Sequence, residues 1–482
     1  MARTLVWFRG KDLRLHDHRP LASALRKGDE VILLFVLDRH FFAPERAREL
    51  APRMQLLLES LAELEAAIAE RGGRLFVVPG RSVEVVPRLA ARWKVDRVVA
   101  QRWTEPFGRA RDEKVARALA VPFELLGGEL ASDATYDLVS GGGGPYRVYS
   151  AFARAWQKTW DPGFEPIPAP RALPPPPADV TLAKGEAAKV PALADLGIVH
   201  NASILPGGER AARARVQAFL KGPGARYHAD RDRMDVAGTS RLSQDLKLGL
   251  VSPRAVLRVA EQKLPPEPRG KFRAELVWRE FAHHLLYTQP TLLERPFRPE
   301  FEGFPWRDDP AGWEAWVQGT TGYPVVDAAA RQLLGEAYVH NRARMIAASF
   351  LTKHLMIDFR RGEAHYMKHL ADGDWAQNDS GWQWSAGCGC DAQPYFRVFN
   401  PVSQGERFDP EGGYVRRWVP ELARMPAKYI HRPWEAPAEV LAAAGVTHGR
   451  TYPKPVVDHA KGRARFLQLA ADHLARAKAA RG

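Results

Sequence analysis

Cysteine is nearly missing: among 482 residues only Cys388 and Cys390 carry thiols. A disulfide scaffold is thereby excluded, and a reducing compartment fits. No apolar run reaches transmembrane length, and the opening MARTLVWFRGKDLRLHD has no signal-peptide centre. The expectation is a soluble, cytoplasmic protein of bacterial type, nucleoid-associated if it binds DNA. Internal repeats are missing as well. No G-x-G-x-x-G follows the first strand-like run; RGKDLRLHD stands there and argues against an ordinary dinucleotide site. Negative charge is the scarcer sign, with 56 Asp+Glu against 70 Lys+Arg and a net charge of +14. Such an excess fits a phosphate-bearing partner or a solvated basic surface.

What is present is enough apolar material, 45%, for two or three cores. Apolar runs at 3–8, 30–37, 74–78, 97–100 and 121–125 read as strands. They alternate with helical segments near 18–27, 48–71, 82–93 and 109–119, which predicts a doubly wound parallel sheet over 1–130. Residues 131–206 hold SGGGGPYR and DPGFEPIPAPRALPPPPADV, and read as a long inter-domain connector in extended form. Residues 207–482 read as an all-α domain with loops rich in Gly, Trp and Arg.

The chemistry concentrates in DGDWAQNDSGWQWSAGCGCDAQPYFRVFNP, 372–401. Trp375, Trp382 and Trp384 lie beside Asp372, Asp374 and Asn378, with no Ser-His-Asp set. Clustered indoles suit a bound aromatic cofactor, stacked bases or electron transfer between rings; a Trp-rich core is the plainer alternative. GTSRLS (238–243) offers hydroxyl and N–H donors for phosphate, or a plain helix cap, and Arg231 and Arg233 lie just upstream. In FRAELVWREF, Glu275, Trp278 and Arg279 share one helical turn, with Phe272 a turn earlier. They can hold a base-like ring, or Glu275 and Arg279 can form an i, i+4 ion pair. HNRARM places Asn341 and Met345 at i, i+4, and Arg342 and Arg344 call for carboxylate partners, with Asp372 and Asp374 the candidates. The adjacent His283 and His284 diverge on a helix, and the two cysteines lack further ligands, so no metal site is expected.

Together WFRGKDLRLHDHRPL, GTSRLS, ELVWREF, TGYPVVDAAARQL, HNRARM and the tryptophan-rich stretch resemble the DNA photolyase/cryptochrome family, end to end. The likeness is nearest to the class I enzymes that act on cyclobutane pyrimidine dimers. It implies an α/β antenna domain, a linker and a helical domain holding FAD, in a monomer that binds UV-damaged DNA. By the resemblance, Tyr227, Thr239, Ser240, Arg241, Leu242 and Ser243 contact the flavin phosphates and ribose. Phe272 supplies an aromatic wall; Arg344, Asp372, Gly373, Asp374 and Asn378 surround the isoalloxazine ring. Glu275, Trp278, Asn341, Arg342, Met345 and Trp384 line the lesion pocket, and Arg231, Arg279, Arg397 and Gln404 join them as DNA contacts. The implied chemistry is electron transfer from photoexcited reduced FAD to a flipped-out dimer.

Two departures stand out. Trp382 and Trp306 match the inner and outer members of the family's photoreduction relay, but the middle position is Phe359, with Trp375 a candidate substitute. TEPFGRARD (104–112) has Phe107 and Gly108 where methenyltetrahydrofolate-binding relatives carry Asn-Glu, and resembles the deazaflavin-binding subgroup instead. A cryptochrome-like photoreceptor, and a flavin-dependent DNA-binding module without turnover, remain the alternative functions.

Overall fold

The computed structural model describes residues 2–26, 29–390 and 397–479; positions 391–396 of the tryptophan-rich stretch therefore lie outside it. The chain packs as two units. One comprises 1–225, 240–290 and 371–373, the other 226–239, 291–370 and 374–482. The helices Glu209–Lys221, Pro253–Lys263 and Pro266–Thr288 thus group with the sheet, beyond the boundary expected at 206.

The first unit is built on five strands: β1 (Arg3–Phe8), β2 (Glu30–Asp38), β3 (Leu75–Gly80), β4 (Arg97–Gln101) and β5 (Phe123–Leu126). All neighbours are parallel, in the order β3-β2-β1-β4-β5. Both faces of such a sheet are covered, which is why β2 reads EVILLFVLD without alternation. The order reverses between β1 and β4, where an open sheet of this kind ordinarily receives a ligand. Here buried charge fills that crevice. Arg9 meets Asp112 at 2.7 Å, and Lys11 meets Glu129 at 2.5 Å and Glu105 at 3.0 Å. Arg14 donates to the Gly249 carbonyl at 2.8 Å. The loop that replaced the glycine fingerprint is a plug.

The connector is more ordered than its composition implies. Within it, Tyr149–Gln157 is a helix whose Phe152 and Trp156 are fully buried. The carboxylate of Glu280, on the long helix Pro266–Thr288, accepts from the backbone N–H of Ala131 and Ser132, from Thr135 Oγ1 and from Trp156 Nε1. Four donors on one buried acid fix the start of the connector to this helix.

The second unit is helical. Its core joins Pro324–Glu336, Asn341–Lys353, Phe359–His369, Trp375–Ala386 and the terminal helix His459–Ala479. No helix among the described residues is long and apolar enough to cross a membrane.

Candidate functional site

In the second unit, Asp374 caps the helix Trp375–Ala386, its Oδ1 accepting from the Gln377 N–H at 3.1 Å. That cap directs one turn of the helix so that Asn378 is buried, with its Nδ2 donating to the Glu363 carbonyl oxygen at 3.1 Å. Around this amide burial raises the acids above their ordinary range. Burial pushes Asp379 up to about 7, with only the Gln383 amide as a hydrogen-bond donor. Glu363 is pushed up to about 8, by burial first and then by the Asp379 charge. Trp382, one turn further on, is buried, and Trp384 lies half-buried 6.4 Å from the Phe399 ring.

Asn341 and Met345 meet as their spacing predicts, Nδ2 to Sδ at 3.7 Å. Arg342 differs from expectation: its guanidinium pairs with Asp232 at 2.9 Å and lies 4.2 Å from the Phe408 ring centre. Asp232 therefore takes the role assigned to Asp372 or Asp374 for this arginine, a partner 110 positions away and invisible to local spacing. Arg344 donates to the Val339 carbonyl at 2.8 Å. Arg231 faces Asp232 at 3.9 Å and the Tyr227 ring at 5.9 Å, while Arg233 pairs with Asp235. Arg397 is exposed over Phe399, and Gln404 keeps a buried Oε1 with no hydrogen-bond partner among the described residues.

Glu275 and Trp278 lie in the first unit. Trp278 is 37% exposed and stacks on Tyr149, with ring centres 3.6 Å apart and planes 5° from parallel. The Tyr149 hydroxyl donates to the Ala274 carbonyl at 3.1 Å, so the pair is held from both ends. Tyr149 was hidden in the supposed linker; the signal for it was the Tyr149–Phe152–Trp156 spacing, an aromatic helix face. Glu275 is half-buried, and Phe272 is buried against Phe219 at 4.9 Å. Arg279 is corrected. It is buried and donates to the carbonyls of Glu129 and Leu246, so it holds loops together and is not presented to a phosphate.

GTSRLS forms a loop leading into the short helix Ser243–Lys247, whose start has no side-chain cap. Arg241 sits at φ 54°, a left-handed conformation unusual outside glycine. Thr239 and Ser240 are half-buried, and Ser243 is exposed. Gly238 is required here, because a Cβ would lie 2.5 Å from the Asp230 carbonyl oxygen. Hydroxyl side chains beside a helix start without a side-chain cap fit the phosphates of a dinucleotide such as FAD. Asp372 and Gly373 are buried, as is Leu242.

A separate aromatic patch edges the sheet. Phe107 is 40% exposed, stacks on His40 at 4.2 Å and meets Phe41 edge-on at 5.5 Å. Gly108 follows because a Cβ there would come within 2.5 Å of the Trp103 ring. A glutamate at 108 has no room. Of the histidine pair, His283 faces Thr104 Oγ1 at 2.9 Å, and His284 faces the Thr135 carbonyl at 2.9 Å. Cys388 is buried, its Sγ 3.7 Å from the Gln383 carbonyl oxygen, and burial raises its thiol.

Comparison with known proteins identifies the family. Residues 4–173 match the family model "DNA photolyase", and residues 272–472 match "FAD binding domain of DNA photolyase". A deoxyribodipyrimidine photo-lyase of Thermus thermophilus is 42% identical over 473 residues, covering 98% of this chain and 99% of its own. A bacterial class III photolyase from Agrobacterium tumefaciens superposes with a TM-score of 0.89 at 38% identity, covering 98% of each chain. A Synechocystis cryptochrome superposes at 0.88 with 28% identity, covering 97% of this chain and 99% of its own. Relatives 42% identical over nearly the whole of both chains, the parallel sheet and the match of residues 272–472 to an FAD-binding domain carry one conclusion: this chain belongs to the DNA photolyase family.

Proposed function

We propose that this protein is a deoxyribodipyrimidine photo-lyase, which uses light to split cyclobutane pyrimidine dimers in DNA. The observation that carries the reading is Trp278, an exposed indole laid flat on Tyr149 next to the half-buried Glu275. A solvent-facing aromatic platform has little value to a core and much to an unstacked base. Reduced FAD, when bound, supplies a one-electron donor under blue light. The hydroxyls of Thr239, Ser240 and Ser243 bind its phosphates, with Tyr227, Arg241 and Leu242 beside them. Phe272 walls the cofactor, and Arg344, Asp372, Gly373, Asp374 and Asn378 surround its ring.

The protein's remaining work is to bind, orient and keep water out. Trp278, Trp384, Met345 and Asn341 contact the flipped dimer. Glu275 hydrogen-bonds its polar edge and steadies the charge it carries while the two bonds joining the pyrimidines break. Splitting the dimer is redox-neutral overall, so the net reaction would consume no reductant. Arg231, Arg342, Arg397 and Gln404 reach the damaged strand, and binding weakens as salt rises. At the sheet, Phe107 and His40 offer a face to a planar antenna pigment; the lack of room at Gly108 favours an 8-hydroxydeazaflavin over methenyltetrahydrofolate. The active unit is a monomer, in the cytoplasm.

The test is irradiation of a dimer-containing oligonucleotide with the reduced holoprotein, following the return of thymine absorbance. Restoration in the light and none in the dark is expected. Tight damage binding without restoration would replace this reading with a photoreceptor or a passive binding module.

A further inference from the structure

The corner that carries Arg342 is not basic, although the chain as a whole is. In RYHADRDRMD, 226–235, three arginines are matched by three aspartates, in a protein with a net charge of +14. Two pairs close within the segment: Arg226 with Asp230 at 2.9 Å and Arg233 with Asp235 at 2.5 Å. The third acid, Asp232, turns to another helix. Its Oδ1 accepts from Arg342 Nη2 at 2.9 Å and stands 3.9 Å from Arg231 Nε. Arg342 has no other carboxylate partner among the described residues.

The pair is held in a fixed frame. The Arg342 backbone N–H donates to His340 Nδ1 at 3.1 Å where the helix Asn341–Lys353 begins, so the arginine side chain starts from a set point. Its guanidinium then lies 4.2 Å from the Phe408 ring centre. Two positions beyond Asp232, the Met234 N–H donates to the Phe408 carbonyl oxygen at 2.9 Å. Backbone and ion pair together thus keep Asp232, Phe408 and Arg342 in one place. His340 is pushed down to about 4 by burial and brings no charge near neutral pH. Of the Arg342 side chain 16% is exposed, against 37% for Asp232. The carboxylate is the more open member of the pair.

We propose that Asp232 is a specificity-determining residue, which withholds Arg342 from the phosphates of intact DNA and aims it at the damaged strand. The inference rests on the reading above that Arg231 and Arg342 meet DNA carrying a flipped dimer. Intact duplex is held by its phosphates, in any register along the strand. In every such register a phosphate that nears Arg231 or Arg342 also nears the Asp232 charge, which cancels part of the attraction. A dimer-containing strand binds in one register, fixed by the base that has left the stack. There a guanidinium already in place needs no ordering when its phosphate arrives, and that gain offsets the repulsion. Asp232 weakens the competitor more than the target, and selectivity is that difference.

The experiment measures binding of the flavin-loaded protein, in the dark, to one duplex with and without a thymine dimer, over a range of salt. Asp232→Asn keeps an oxygen for Arg342 and removes the charge. It is expected to tighten binding to intact duplex about fivefold at low salt, and to leave dimer binding within about twofold of the parent. The slope of log affinity against log salt for intact duplex steepens by about 1, the mark of one more phosphate contact. A residue that only braced the fold would not move that slope. Asp232→Glu restores the charge and is expected to bind intact duplex as the parent does. In an Arg342→Gln background, Asp232→Asn tightens intact binding by no more than about twofold, the share left to Arg231. Asp232→Ser removes the charge in a second way and is expected to match Asp232→Asn, so a folding defect in one variant does not decide the outcome. Equal tightening for both duplexes overturns the inference, because the effect is then one of general charge. Parental or weaker affinity for intact duplex in Asp232→Asn and Asp232→Ser overturns it, as does a full gain that persists without Arg342. Failure of the underlying reading looks different: the parent protein would show no preference for dimer-containing duplex.

Discussion

The two units differ in how much of their buried charge is paired, with Glu280 of the sheet unit, received by neutral donors, an exception. In the sheet unit, buried ions meet ions: Arg9 with Asp112, Lys11 with Glu129, Arg97 with Asp29, and Asp17 with Arg254. In the helical unit, buried acids are received by neutral donors. Asp327 accepts from Thr321 and Tyr452 and is pushed up to about 6; Asp409 accepts from the N–H groups of Tyr414 and Val415 and also rises to about 6. Asp379 and Glu363 rise further, and Glu363 Oε1 has no hydrogen-bond partner among the described residues. The difference is instructive. Paired charges fill the crevice where such a sheet would bind a nucleotide, so that unit is braced. In the helical interior burial raises the cited acids above their ordinary range, so they take up a proton more readily there than in water.

The largest expected effect breaks the sheet half of this contrast. Asp112→Ala strands Arg9 and Arg111 and is expected to cost about 3–5 kcal/mol in chemical denaturation, the penalty for an orphaned buried charge. A loss under about 1 kcal/mol would mean that water reaches the crevice and that it is no plug.

How much of this was legible in the sequence depended on range. All five strands and the parallel sheet were readable because buried strands are continuous apolar runs, a purely local signal. Asn341–Met345 was readable because a helix fixes i, i+4. Arg279 was misread because its carbonyl acceptors lie 33 and 150 positions away, so a basic helix residue looked available to phosphate. Tyr149 was missed because Gly and Pro around it masked an aromatic period. The Trp316–Trp382 contact joins helices 66 positions apart, and no pattern within either one announces it.

A second, smaller effect sharpens the helical half. Glu363 and Asp379 have folded pKa values raised above their ordinary 4.5 and 3.8. Protonation therefore favours the fold: their contribution is fully present below the unfolded values and is lost as pH rises through about 7 to 8. Thermal unfolding is expected to show a loss on the order of 2 kcal/mol between about pH 6 and 9, and Glu363→Gln flattens most of that slope. An unchanged slope in Glu363→Gln would place a counter-charge beside this acid and remove the contrast.

The smallest effect concerns the platform. Tyr149→Ala leaves Trp278 without its stacking partner and is expected to weaken binding of dimer-containing DNA by about 1 kcal/mol, roughly fivefold. Tyr149→Phe keeps the stack and is expected to bind nearly as the parent does. Equal affinities for all three proteins would show that the indole needs no support.

The central proposal is that light acts through reduced flavin on a dimer held at Trp278 and Glu275. Single-flash repair, counted as thymines restored per bound oligonucleotide, tests it directly with the protein poised fully reduced or fully oxidised and no reductant present. Restoration by the reduced protein alone, sharply diminished in Glu275→Ala, is the predicted result. Equal restoration in both redox states, or none in either despite bound flavin and bound dimer, would contradict it.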